Sequence, residues 1–194
     1  MPVTDKPKDD TYTQWLHYQV DIVGNIADLN RALFHGNTVA VSDGSYHEQG
    51  KLGAAAWVLA NDKLNPIIKG KSMSPGQPSN QSAYQRKLVG VLAGSDYLQV
   101  TTNITVQKGY GITLYCDNVS VLGEVDEWLA DRMTPKPKHA DIISAMIKVQ
   151  DMLHLNVQVE HVQAHQDDHK TIIQLTPQEK LMLTCIEMQK TCSP

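Results

Sequence analysis

The apolar residues of this chain change period in a fixed order, and that order limits the folds open to it. From Thr38 the period is two: Val39 and Val41 alternate with Ala40 and Ser42 as far as Asp43, which reads as a short strand. A polar turn over 44–51 leads to a second apolar strand over 53–59, and Asn61-Asp62 turns the chain toward a third, edge strand over 66–70. Three short strands joined by tight turns form an antiparallel meander. The period then lengthens. Tyr84, Leu88, Val91, Leu92 and Leu98 share one helical stripe, with Ser79, Asn80 and Ser82 as candidate N-caps. A fourth strand over 111–116 delivers Asp117 at its end. Leu122, Val125, Trp128 and Leu129 mark a short helix closed near Pro135, and Ile142, Ile143, Met146, Ile147 and Leu153 mark another. Leu155, Val157 and Val159 make a fifth strand running into His161. A last helix starts near Thr176, with Pro177 where a first turn tolerates it. The order βββαβααβα predicts an α/β fold, a mixed five-stranded sheet flanked by helices.

Composition narrows the class further. With 41% apolar and 20% charged residues in 194, the chain can bury a core and is not mainly disordered. Its longest apolar run, over 52–60, is too short to cross a bilayer, so no membrane role is expected. Residues 1–13 are polar and charged, without the apolar stretch of a secretory signal, and read as a tail. Residues 14–37 read as an N-terminal arm or a remnant of a connection, and 38–194 as the domain proper; the short stretch 191–194 suggests a shortened end. Three cysteines (Cys116, Cys185, Cys192) form no CxxC pair, which disfavours a disulfide framework and fits an intracellular, cytoplasmic or nuclear location. The net charge of −4 excludes a surface that binds polyanions everywhere.

Three polar clusters stand at strand ends: Asp43-Gly44-Ser45, Asp117-Asn118 and His165-Gln166-Asp167-Asp168. Carboxylates on neighbouring strand ends can share hard divalent cations, which take oxygen ligands and keep several waters. Two such ions can activate a water and stabilise a leaving oxygen in phosphodiester cleavage. Taken singly, each aspartate is equally at home as a turn former.

Their order carries more. Val-Ala-Val-Ser-Asp-Gly-Ser (39–45) followed by Gly-Ala-Ala-Ala-Trp-Val-Leu (53–59) resembles the first hairpin of the ribonuclease H family, in the version found in retroelement-derived proteins. Residues 82–93 are similar to that family's first helix, 114–118 (Leu-Tyr-Cys-Asp-Asn) to its fourth strand, 162–168 (Val-Gln-Ala-His-Gln-Asp-Asp) to its fifth strand and histidine loop, and 175–181 to the start of its last helix. The resemblance implies an RNase H-like fold and an ancestor that cleaved RNA in RNA–DNA hybrids with Mg²⁺ or Mn²⁺, attached to an upstream polymerase domain. It implies that Asp43 and Asp117 are metal ligands and that His165 assists product release. It places Gly44, Ser45 and Asn118 beside the nucleic acid.

Two expected acids are missing. In the first helix the family has glutamate where this chain has Lys87, and in the last helix the expected aspartate falls on Ile186. An ammonium about 4 Å from a carboxylate is worth roughly 4 kcal/mol at an effective dielectric near 20, before desolvation, and it repels a divalent cation on a larger scale. Lys87 therefore competes with metal for Asp43 and Asp117. Glu187 lies about 100° around the helix from Ile186. It and the loop acids Asp167 and Asp168 are the candidate substitutes. The reading is a domain whose two-metal centre is dismantled, with activity impaired or lost, and a non-catalytic nucleic-acid-binding or scaffolding module as the alternative.

The remaining signals are weaker. His161, His165 and His169 have no cysteine pair to complete a zinc site. The basic stretch 132–139 can touch phosphates but reads as an exposed connector. Trp57 and Trp128 are expected in the core, and Cys116 as a small buried hydrophobe.

Overall fold

The computed structural model describes residues 18–47, 52–73, 82–101, 110–130, 140–152 and 156–191. The tail 1–13, the basic stretch 132–139 and Cys192 lie outside the described residues, as do the side chains of Trp128 and Asp167. The elements run β1 (Tyr18–Ile22), α1 (Ile26–Phe34), β2 (Thr38–His47), β3 (Leu52–Ala60), β4 (Pro66–Met73), α2 (Ala83–Thr101), β5 (Gly111–Cys116), α3 (Val119–Leu129), α4 (Ala140–Met152), β6 (Asn156–His161), a 3₁₀ turn (Gln166–Asp168) and α5 (Pro177–Lys190).

The sheet has six strands in the order β1-β4-β3-β2-β5-β6. The meander β2-β3-β4 is antiparallel, as its short turns require, with Val39 opposite Ala60 and Trp57 opposite Gly70. β5 joins β2 in parallel after the helical crossover, and β6 joins β5 in parallel. The sheet is one strand larger than the sequence pattern predicts, and β4 is not an edge. Residues 18–22 pair antiparallel with β4, Val20 opposite Gly70. From β1 the chain turns at Gly24, where Val23 and Gly24 both donate to the Ile67 carbonyl. It continues into α1, capped by the Asn25 side chain on Ala27 N at 2.9 Å.

Two apolar clusters sandwich the sheet. On one face Trp57, Leu59, Ile68, Ile112 and Leu114 pack under α2 (Leu88, Val89, Leu92), α3 (Val121, Val125) and α4 (Ile142, Met146), with α1 adding Leu29 and Leu33. On the other face Val39, Val41, Ala56 and Val58 meet Leu181, Met182, Cys185 and Ile186 of α5. Trp57 and Cys116 are both buried, as expected. α2 starts at Ser82, one of its candidate caps, and α5 starts where Pro177 is expected in the first turn. Ser82 Oγ accepts from Gln85 N at 3.2 Å, and α5 begins with a reciprocal Thr176–Glu179 capping box around Pro177. No helix among the described residues is long and apolar enough to cross a membrane.

Candidate functional site: an acid pair closed by a lysine

Four elements converge beside the middle of β2, which runs on to His47 and does not stop at Asp43 as the sequence pattern suggests, and at the end of β5. In the parallel register Val41 faces Tyr115, so Asp43 within β2 and Asp117 just past β5, each two residues further on, stand at the same level. Asp43 continues the alternation of Val39 and Val41, the face of β2 that α5 covers. It is 5% exposed.

α2 supplies the third member. It approaches β2 at Gly44, where a Cβ would overlap the Arg86 carbonyl carbon and the Lys87 amide nitrogen. This approach carries Lys87 to the acids. Its Nζ donates to Asp43 Oδ1 at 2.8 Å and also to Asp117 Oδ1. The three side chains are 7–14% exposed. Burial alone would push the Lys87 ammonium down. The charges of Asp43 and Asp117 and their hydrogen bonds outweigh it, and hold the group above the ordinary lysine value.

The fourth member comes from α5, and it is not the residue the sequence suggested. Ile186 lies in the apolar cluster against β2 and β3, 8% exposed, and Glu187 points to solvent. Gln189 instead donates from Nε2 to Asp43 Oδ2 at 2.9 Å. The helix is set by packing one turn earlier, where the Cys185 thiol approaches the Val41 carbonyl at 3.6 Å. Four helical residues rise about 6 Å and two strand residues about 6.7 Å, so α5 and β2 stay in step and Gln189 arrives at Asp43. A signal was present in the sequence. Leu181, Met182, Cys185, Ile186 and Gln189 continue one buried stripe, and a polar side chain on such a stripe calls for a polar partner.

The other predicted residues are placed as follows. Asn118 is half-buried, and its Oδ1 accepts from Ser120 N and Val121 N at 3.0 and 3.1 Å, so it caps α3. The Cα of Gly44 faces α2, while Ser45 is exposed. His165 is exposed in the left-handed region (φ 55°) ahead of the 3₁₀ turn, and Asp168 is exposed within that turn. His161 brings Nε2 to 3.3 Å from the Asp117 carbonyl oxygen, which accepts when that nitrogen carries the proton. Burial pushes the neighbouring Cys116 thiol up to about 12, so it stays protonated at neutral pH. Beside Lys87, Arg86 is wholly buried, with no hydrogen-bond partner for its guanidinium among the described residues.

No protein-family model matches the sequence, and no curated protein is detectably similar to it. Solved structures are similar in fold. The structure of an RNase H1 isolated from compost by a metagenomic approach superposes with a TM-score of 0.52 at 10% identity, covering 81% of this chain and 99% of that one. RNase H1 from the halophilic archaeon Halobacterium salinarum gives 0.47 at 16% identity over 65% and 85% of the two chains. The compost enzyme in complex with an RNA/DNA hybrid gives 0.49 at 12% identity over 80% and 99%. On the superposition with the compost enzyme, the domain has an RNase H-like fold.

The resemblance implies a divalent ion between Asp43 and Asp117, and the donor set does not fit one. An ammonium stands at the point both carboxylates face, and the second oxygen of Asp43 accepts from an amide. A divalent ion needs lone pairs where Lys87 and Gln189 present N–H groups. Among the described residues, no group of three or more His, Cys, Asp and Glu side chains is arranged to hold a metal ion.

Proposed function

We propose that this chain is a non-catalytic RNase H-like module, derived from a retroelement nuclease, in which the acidic centre has become an internal ion-pair network. One observation carries the reading: the Lys87 ammonium bridges Asp43 and Asp117 inside the domain. Hydrolysis of a phosphodiester by this fold's chemistry requires acids free to hold cations beside the scissile phosphate. Here both acids are committed to a side chain of the same polypeptide. The cluster keeps one net negative charge, two carboxylates against one ammonium, and so does not attract phosphate either.

A role in binding or scaffolding follows, and the partner class implied by the sequence resemblance is an RNA–DNA hybrid or other nucleic acid. The test is incubation of the purified protein with a labelled hybrid in Mg²⁺ or Mn²⁺, beside Asp43→Asn. The reading predicts no cleavage by either protein. Cleavage by the wild type that disappears in Asp43→Asn overturns it and restores the nuclease reading. Hybrid affinity measured in the same samples by fluorescence anisotropy, as a function of salt, separates nucleic-acid binding from a purely scaffolding role.

A further inference from the structure

We infer that Lys87 is the resident cation of this fold, and that positions 87 and 189 together decide whether the Asp43–Asp117 crossing is held by an organic cation or by a divalent metal. The inference rests on the non-catalytic reading and goes beyond it by assigning the switch to two residues, one of them on α5.

The geometry is that of a small coordination shell with its polarity inverted. Side chains from β2, α2, the end of β5 and α5 meet in one largely buried volume. Each contact runs from a nitrogen donor to a carboxylate oxygen. Lys87 Nζ serves Asp43 Oδ1 and Asp117 Oδ1, and Gln189 Nε2 serves Asp43 Oδ2. With the backbone unchanged, Glu at 87 and Asp at 189 would turn both donors into acceptors. The cluster would pass from one net negative charge to four, and carboxylates that crowded repel one another unless a cation neutralises them. The ring of oxygens then suits a hard divalent ion.

The two positions do not contribute alike. Gln189→Asp alone leaves the ammonium in place, so the crossing stays filled. Lys87→Glu alone removes the ammonium and leaves an amide that can present its oxygen instead. Loss of Lys87 is therefore the step that opens the site, and a carboxylate at 189 tightens it.

The test uses the full chain as wild type, Gln189→Asp, Lys87→Glu and Lys87→Glu/Gln189→Asp. Mn²⁺ binding is followed by electron paramagnetic resonance, and thermal unfolding is recorded with Mn²⁺ or with EDTA. Wild type and Gln189→Asp are expected to bind no Mn²⁺ at the crossing and to unfold alike in both media. The double variant is expected to bind Mn²⁺ at least about tenfold more tightly than wild type and to unfold at a higher temperature in Mn²⁺ than in EDTA. Wild type that binds Mn²⁺ as tightly as the double variant overturns the inference, as does a folded double variant that binds none. If the double variant folds only with Mn²⁺ present, the inference holds. If it folds in neither medium, Lys87→Gln decides: it removes the charge and keeps the bulk, and its Mn²⁺ affinity must exceed that of wild type. These outcomes are separate from the function reading, because hybrid cleavage by the wild type overturns that reading whatever the titrations show.

Discussion

Gly44 packs its Cα directly against the backbone of Lys87, and this contact brings a helical ammonium onto a strand carboxylate. A side chain at 44 would overlap the α2 backbone on the turn that carries Arg86 and Lys87. The centre of the molecule is thus built from a missing side chain on β2, a cation on α2, an acid within β2, an acid just past β5 and an amide on α5.

Gly44→Ala is accordingly expected to cost at least about 1–3 kcal/mol, because backbone and not a flexible side chain must move. Gly94, two turns along α2, is the contrasting case. A Cβ there would sit 3.6 Å from Trp57 ring atoms, at ordinary contact distance. Gly94→Ala is expected to stabilise by up to about 1 kcal/mol through helix propensity. Urea unfolding of both variants checks the pair, and equal effects would contradict the close approach at Gly44.

Lys87→Met leaves two buried carboxylates facing each other without a counter-charge. Removing one partner of a buried pair typically costs about 3–5 kcal/mol. Part of this loss should be regained on acidification toward about pH 5. Repulsion raises the affinity of the native pair for a proton, so the folded variant binds more protons than the unfolded chain and gains stability as pH falls. Denaturant unfolding at neutral and mildly acidic pH measures it. A variant as stable as wild type at neutral pH would contradict the ion-pair account.

The alkaline limb carries the opposite sign. The folded Lys87 ammonium is held above the ordinary value of 10.5, after burial, which lowers it, is outweighed by Asp43 and Asp117. Its contribution is complete at neutral pH and is lost as pH rises from about 10.5 through the folded value. As pH rises from neutrality, the stability difference between wild type and Lys87→Met should therefore stay flat and shrink only at strongly alkaline pH. Shrinkage beginning near neutrality would contradict it.

Asn118 offers a local test. Its side chain caps α3, so Asn118→Ala should cost about 1 kcal/mol while Asn118→Asp or Asn118→Ser retains most of the stability. Equal losses in all three variants would show that the cap is not what holds this residue.

How far the sequence speaks is visible in these same residues. The meander, α2, β5, β6 and α5 are legible because their apolar residues keep a strand or a helix period, and the change of period marks the passage from one to the other. Asp43, Lys87 and Asp117 could be brought together from the order of elements together with the resemblance to the ribonuclease H family. β1 could not. Its five residues carry a mixed pattern, and their strand state is decided by pairing with β4, 46 to 54 positions away in the register Tyr18–Ser72 to Gln19–Lys71 and on to Ile22–Ile68. Gln189 was missed for a related reason. A helix moved by three residues presents nearly the same face, about 60° away, so periodicity cannot say which turn meets Asp43. The packing of Cys185 on Val41 decides it.

The most direct measurement is the nitrogen-15 signal of the Lys87 side chain in the wild-type protein at neutral pH, read with and without millimolar Mg²⁺. A charged, slowly exchanging ammonium that shows hydrogen-bond coupling to the carboxyl carbons of Asp43 and Asp117, and that does not change when Mg²⁺ is added, is the predicted result. A rapidly exchanging solvent-like ammonium, or one displaced from the two acids on adding Mg²⁺, would contradict the account.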